Sequence, residues 1–200
     1  MIRIPLVATA ALLAASLSAS AATITLFDDN FDADSTGVNG YFTTTDLINW
    51  TVTQGNVDIL GTAYGCTGCI DLDGSFASEP AVLQTKSAFN FLVGVAYTVS
   101  MFFSGGSQEE EVTIGVNGGA VSFMAGNGPS VFTVSEIAPF DLTDVFTISL
   151  SGPADNSGPY LDRVLITYEE TLAPVPLPAA APLLFMGLGA LGLFKRRRRS

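Results

Sequence analysis

The sequence contains no histidine, and that absence removes whole classes of chemistry. Ser-His-Asp and Cys-His nucleophile systems cannot be assembled, nor can a His-ligated zinc site. Basic residues are scarce: 8 Lys and Arg stand against 19 Asp and Glu, a formal net charge of −11. Lys195, Arg196, Arg197, Arg198 and Arg199 are five of the eight, and Arg3 is a sixth. Between residues 22 and 172 only Lys86 and Arg163 are basic, while all 19 acids lie there, so that segment carries 2 − 19 = −17. Such a surface repels phosphate backbones and excludes nucleic acid as an expected partner. Cysteine is limited to Cys66 and Cys69, too few for a four-ligand structural zinc site without histidine. Residues 22–170 also lack any apolar stripe with the period of an amphipathic helix.

What is present is clearest at the two ends. Met1, Ile2 and Arg3 form a short basic start, residues 4–17 are apolar, and Ser18-Ala19-Ser20-Ala21 supplies small residues for cleavage. This is the layout of a secretory signal peptide, expected to span residues 1–21. At the other end, residues 171–178 are a proline-rich linker that continues neither helix nor strand. Residues 179–194 carry no charge and would make a helix of about 24 Å, a marginal transmembrane span. Lys195 to Arg199 then stop transfer in a short tail, 195–200, which the positive-inside rule keeps cytoplasmic.

Val175-Pro176-Leu177-Pro178-Ala179, followed by a Gly-rich apolar segment and the arginine cluster, resembles the VPLPA variant of the PEP-CTERM sorting signal. The resemblance covers about the last 26 residues, with its three parts in the right order. It implies an exported Gram-negative bacterial protein. Its partner would be an exosortase-type membrane enzyme that recognises and removes the tail. The chain is then held at the inner membrane until processed, and reaches the cell surface or the extracellular matrix. Many such species make exopolysaccharide. An ordinary single-pass anchor would explain the helix and the arginines, but not the Pro-Leu-Pro-Ala box.

The middle reads as one all-β domain, residues 22–170. Val95, Tyr97, Val99, Met101 and Phe103 alternate with Ala96, Thr98, Ser100, Phe102 and Ser104, the period of a strand. Val112, Ile114 and Val116 repeat the pattern, as do Phe146, Ile148 and Leu150, and Val164, Ile166 and Tyr168. Further strands are expected at 22–27, 50–53, 57–60, 70–72, 81–85 and 131–134. About ten short strands between turn signals indicate a β-sandwich of jelly-roll type. Gln54-Gly55-Asn56 reads as a hairpin turn between two of them, and Asn117-Gly118-Gly119 as another. Residues 151–159, rich in Gly, Pro, Asn and Ser, read as an exposed loop at one sandwich end.

Asn30-Phe31-Asp32, Trp50-Thr51-Val52, Gly55 to Leu60, Asp71-Leu72-Asp73-Gly74, Gln84-Thr85, Tyr97 to Ser100 and Gly158 to Val164 come in that order. Together they resemble the choice-of-anchor C family. They are also similar to a plant cell-wall family and, more distantly, to carbohydrate-binding modules. The resemblance implies a galactose-binding-like sandwich that is not an enzyme.

The candidate chemistry is limited. Cys66-Thr67-Gly68-Cys69 is expected to be a local disulfide in an exported protein. Asp28, Asp29, Asn30, Asp32 and Asp34 do not follow the EF-hand spacing. The resemblance implies a structural Ca²⁺ between the first and last strands, with Asp32, Asp162 and Asp73 as ligands. Solvated turn aspartates remain the other reading. The sole tryptophan, Trp50, reads as core, while Tyr41, Tyr64 and Tyr160 in Gly- and Pro-flanked loops are the better sugar-contacting candidates. Glu109-Glu110-Glu111 reads as a solvated strand start, because a glycosidase needs two carboxyls facing each other across a cleft. The expected function is a surface or matrix protein whose sandwich binds polysaccharide. The alternatives are a purely structural subunit and, third, a secreted hydrolase.

Overall fold

Alternating apolar residues build almost the whole of the chain that the structure shows. The computed structural model describes residues 21–66, 68–116 and 119–171. The expected signal peptide apart from Ala21, the sorting box, the membrane helix and the basic tail therefore lie outside the described residues. Fourteen strands follow one another. The first seven are β1 (Ala21–Asp29), β2 (Tyr41–Thr44), β3 (Trp50–Gln54), β4 (Val57–Leu60), β5 (Cys69–Asp71), β6 (Val82–Thr85) and β7 (Phe89–Phe91). The rest are β8 (Ala96–Gly106), β9 (Glu110–Val116), β10 (Gly119–Ala125), β11 (Ser130–Ile137), β12 (Leu142–Asp144), β13 (Thr147–Ser151) and β14 (Pro159–Thr171). A single 3₁₀ turn, Thr62–Tyr64, is the only helical element among the described residues.

The strands form two main sheets. A seven-stranded sheet runs β11-β8-β14-β5-β4-β2, with β1 also paired to β14, and a five-stranded sheet runs β10-β9-β13-β6-β3. β7 and β12 make a small separate ribbon. Residues 23–170 form one compact unit. The inward face of β8 is Tyr97, Val99, Met101 and Phe103, and that of the opposing sheet includes Val112, Ile114, Ile148, Leu150 and Leu83. Period-2 alternation thus places one side of each strand in the core, as the sequence predicts.

Trp50 sits between the sheets with no exposed surface. Phe27 and Phe146 meet its ring edge-on, at centroid distances of 5.5 and 6.0 Å. Its N–H would be an unsatisfied buried donor, and Asp29 accepts it at 2.8 Å.

Two details differ from the sequence expectation. Gly55 has the expected positive φ of 64°, but the strands it joins enter different sheets, so the turn is a crossover and not a hairpin. A side chain there would strike the Glu79 carbonyl. The second expected hairpin does hold, because β9 and β10 pair directly from Val116 opposite Gly119. β2, β7, β10 and β12 were not foreseen; they are short or exposed, and β10 pairs on one edge only.

Candidate functional site

Three elements carry the expected tyrosines to one end of the seven-stranded sheet. Tyr41 opens β2 and lies opposite Leu60 on β4. The 3₁₀ turn carries Tyr64 and ends at Gly65, whose φ of 77° suits a residue without a Cβ. Tyr160 stands at the start of β14. Tyr41 and Tyr64 meet edge to face with centroids 6.3 Å apart. Tyr64 and Tyr160 line one open cleft of about 360 Å³.

The cleft is polar, and backbone makes much of its floor. Gly105, Gly106, Gly126 and Gly128 line it together with Cys66, Ser104 and Asn127. A Cβ on Gly106 would come within 2.8 Å of the Gly158 carbonyl, and one on Gly126 would strike the Gln108 carbonyl. Those positions are therefore kept bare by packing. Asn127 donates to Glu109 at 2.6 Å, and the Tyr160 hydroxyl lies 3.1 Å from that of Ser107. The Ser104 hydroxyl has no hydrogen-bond partner. No carboxylate lines the cleft.

Beneath the cleft is a small second apolar cluster. Cys66 and Cys69 are joined by a disulfide with Cα atoms 5.9 Å apart. Both pack with Leu60 and with the partly buried ring of Tyr160. Ile59 and Ile70 face the main core from the same two strands, so β4 and β5 are buried on both faces. The disulfide thus packs on the outer face of the sheet at Leu60, and Cys66 lines the cleft.

The expected Ca²⁺ ligands are placed in two groups. Asp162 is the unpaired residue of a β-bulge, between Leu161 opposite Phe103 and Arg163 opposite Phe102. Its carboxyl is raised by burial and then by the charge of Asp32, with Arg163 opposing. Asp32 packs over Gly68 of the disulfide loop. Asp73 keeps other company: its carboxylate accepts the N–H groups of Asp155 and Ser157 at 2.8 and 3.1 Å. No group of three acidic or thiol side chains converges on one point among the described residues.

Asp73 belongs to an acidic cluster that the sequence reading did not foresee. Asp58 and Asp71 are direct cross-strand partners. Asp58 accepts bonds from Thr43 and from the hydroxyl and amide of Ser75. Asp71 accepts the amides of Asp73 and Gly158 at 2.9 and 3.1 Å. Burial pushes Asp71 up to about 7, and the charges of Asp58 and Asp73 add to that against the two amide bonds. Glu110 is the clearest departure from expectation. It is not solvated: only 5% of it is exposed, and burial followed by the charges of Asp73 and Asp155 pushes it up to about 7. The signal for this was available. Glu110 shares the inward period of Val112 and Ile114, whereas Glu109 and Glu111 point out.

No family model matches the chain, and no curated protein matches it. Among solved structures, the chain is similar to the apo form of BiXyn10A CBM1, at 18% identity and a TM-score of 0.43, over 70% of this chain and 96% of that one. It is similar to a family 29 carbohydrate-binding module from Piromyces equi at 11% identity and a TM-score of 0.40, over 74% and 91%. It also matches 30% of an exo-beta-1,3-galactanase from Phanerochaete chrysosporium at 17% identity and a TM-score of 0.34, over 65% of this chain. Likenesses this distant assign neither a fold family nor a ligand.

Proposed function

We propose that the chain is an exported, tail-sorted bacterial surface or matrix protein whose β-sandwich binds a polysaccharide. The observation that carries the binding reading is the convergence of Tyr64 and Tyr160 on one open polar cleft, with Tyr41 edge-on to Tyr64. An aromatic ring offers an apolar face to sugar C–H groups, and its hydroxyl can share the hydrogen bonding of sugar hydroxyls. Asn127 adds a polar side chain to the same walls.

The role is binding rather than catalysis. A glycosidase needs two carboxyls reaching the scissile bond, and no carboxylate lines this cleft. The buried acids Asp73 and Glu110 are 0% and 5% exposed, out of reach of a polysaccharide. The net charge of 2 − 19 = −17 between residues 22 and 172 favours a neutral glycan over an acidic one.

Export rests on the signal-like start, on the sorting box Val175 to Ala179 and on the basic tail Lys195 to Arg199. The jelly-roll architecture rests on the strand pattern of the sequence and on the resemblance, and the choice-of-anchor C relationship on the resemblance alone. A disulfide between Cys66 and Cys69 suits an oxidising compartment.

The test is affinity electrophoresis of the purified protein in gels containing neutral and acidic polysaccharides. Retardation by a neutral polysaccharide that Tyr64→Ala weakens supports the reading. No retardation in any gel would leave a purely structural matrix subunit as the better account.

A further inference from the structure

We propose that Asp73 and Glu110 form a Ca²⁺ site beneath the loop of residues 152–158, separate from the Asp32–Asp162 pair and from the tyrosine cleft.

The two side chains are the most deeply unsatisfied acids of the molecule. Asp73 has no exposed surface and Glu110 only 5%. One carboxylate oxygen of Asp73 and both of Glu110 have no hydrogen-bond partner. Leaving three acidic oxygens buried and unpaired is costly unless a cation or a proton meets them. The chain supplies no cation there. Lys86 pairs with Asp46 at 2.7 Å and Arg163 with Asp28 at 2.7 Å, and these are the only two basic side chains among the described residues.

Both carboxyls lie against the same loop, at opposite ends. The Glu110 side chain occupies the space a Cβ on Gly152 would take, with its carboxyl carbon 2.8 Å from that position. Asp73 packs under Gly158, where a Cβ would come within 3.0 Å of the Asp73 Cβ. Between them, the Asp155 and Ser157 amides hold the second Asp73 oxygen. That leaves the first oxygen free of the loop. The like charges of Asp73 and Asp155 act on Glu110, which is raised to about 7 in the absence of a cation.

The donor set is all oxygen, which selects a hard cation. Two carboxylates, one of them able to bind through both oxygens, with loop carbonyls and water, suit the flexible six-to-eight coordination of Ca²⁺ better than the strict octahedron of Mg²⁺. The cation would tie β9 to the segment after β5 and to the loop leading into β14. This proposal does not depend on glycan binding.

The competing account is a proton shared between Glu110 and Asp73. The experiment takes full-length protein, stripped with chelator at pH 8, and adds CaCl₂ or MgCl₂ at constant ionic strength. Calorimetric titration and thermal unfolding are read for the wild type, Glu110→Gln, Asp73→Asn and Asp32→Asn. The expected result is Ca²⁺ binding with a raised Tm in the wild type, at least tenfold weaker in Glu110→Gln and Asp73→Asn, and unchanged in Asp32→Asn. Mg²⁺ should bind more weakly. Absence of Ca²⁺ binding by the wild type overturns the proposal and leaves the shared proton. Ca²⁺ binding that survives Glu110→Gln and Asp73→Asn but fails in Asp32→Asn also overturns it, and moves the site to Asp32 and Asp162.

Discussion

The indole N–H of Trp50 donates to the carboxylate of Asp29 at 2.8 Å, inside the interface of the two sheets. The same carboxylate accepts the Phe31 amide at 3.0 Å and the Asn49 side chain at 3.2 Å. It therefore joins the end of β1 to the start of β3 and sets the turn in which Phe31 takes a φ of 54°. Asp29→Ala would leave a buried indole N–H and a buried amide unpaired, a loss of about 2–4 kcal/mol. Asp29→Asn keeps only one acceptor oxygen and sets an amide N–H₂ against a donor at the other, so it should recover only part of that loss. Urea unfolding followed by fluorescence of the sole tryptophan checks both.

The tyrosine cleft predicts a graded mutational pattern. Tyr64→Ala removes an exposed ring that makes little contact with either apolar cluster. It should weaken glycan binding by about tenfold, the scale of one aromatic contact, with little change in stability. Tyr160→Ala should lower both binding and stability, because that ring also packs on Leu60, Cys66 and Cys69. Tyr160→Phe should restore the stability. Phe76, 88% exposed and outside the cleft, serves as the control: Phe76→Ala should bind normally. Loss of binding in that variant would place the glycan elsewhere.

Strand patterning made most of the sandwich legible in the sequence. The alternation from Tyr97 to Phe103 alone places β8 and its buried face. The edges were less legible, because Tyr41 and Phe42 of β2 are exposed and carry no inward signal. The acidic cluster was hidden for a different reason. Asp58 and Asp71 lie on strands buried from both sides, and on the outer face they are met by Ser75, Asp73 and Gly158 from segments that follow or lie far along the chain. Nothing local in the sequence marks that cover. Glu110 was readable by period but was masked by its exposed neighbours Glu109 and Glu111.

Asp71 predicts an inverted pH dependence for chelator-treated protein. Its carboxyl titrates at about 7 in the folded state, against about 4 in an unfolded chain. The groups facing it are the carboxylates of Asp58 and Asp73, which raise it, and the amides of Asp73 and Gly158, which lower it. Between those pH values the folded chain holds the extra proton. Its contribution to stability is therefore present near pH 4 and is lost as the pH rises through about 7. One such group gives a slope of at most about 1.4 kcal/mol per pH unit. Asp71→Asn should reduce the slope, measured by urea unfolding between pH 5 and 8.

The disulfide predicts a local effect. Its ends are three residues apart, so closing so short a loop restricts the unfolded chain by only about 2 kcal/mol. Replacing Cys66 and Cys69 together by Ser should lower stability by no more than that and leave the two main sheets intact. Glycan binding should fall further than stability, since Cys66 lines the cleft and the loop carries Tyr64 on its leading side. Equal losses of both would argue that the loop has no special part in the cleft.

Tail processing gives the last prediction. A plain anchor and a sorting signal share the apolar segment and the arginines, and differ only at Val175 to Ala179. Intact mass measured on membrane and medium fractions separates them. Under the sorting reading, the wild-type chain loses everything C-terminal to the box, including Lys195 to Arg199, and replacing Pro176, Leu177 and Pro178 by Ala leaves the full tail in the membrane. A wild-type chain that keeps Ser200 in the membrane would make it an anchored surface protein. The sandwich would then stay tethered to the bilayer through the linker of residues 171–178. Glycan capture would act at the cell surface and not in a released matrix.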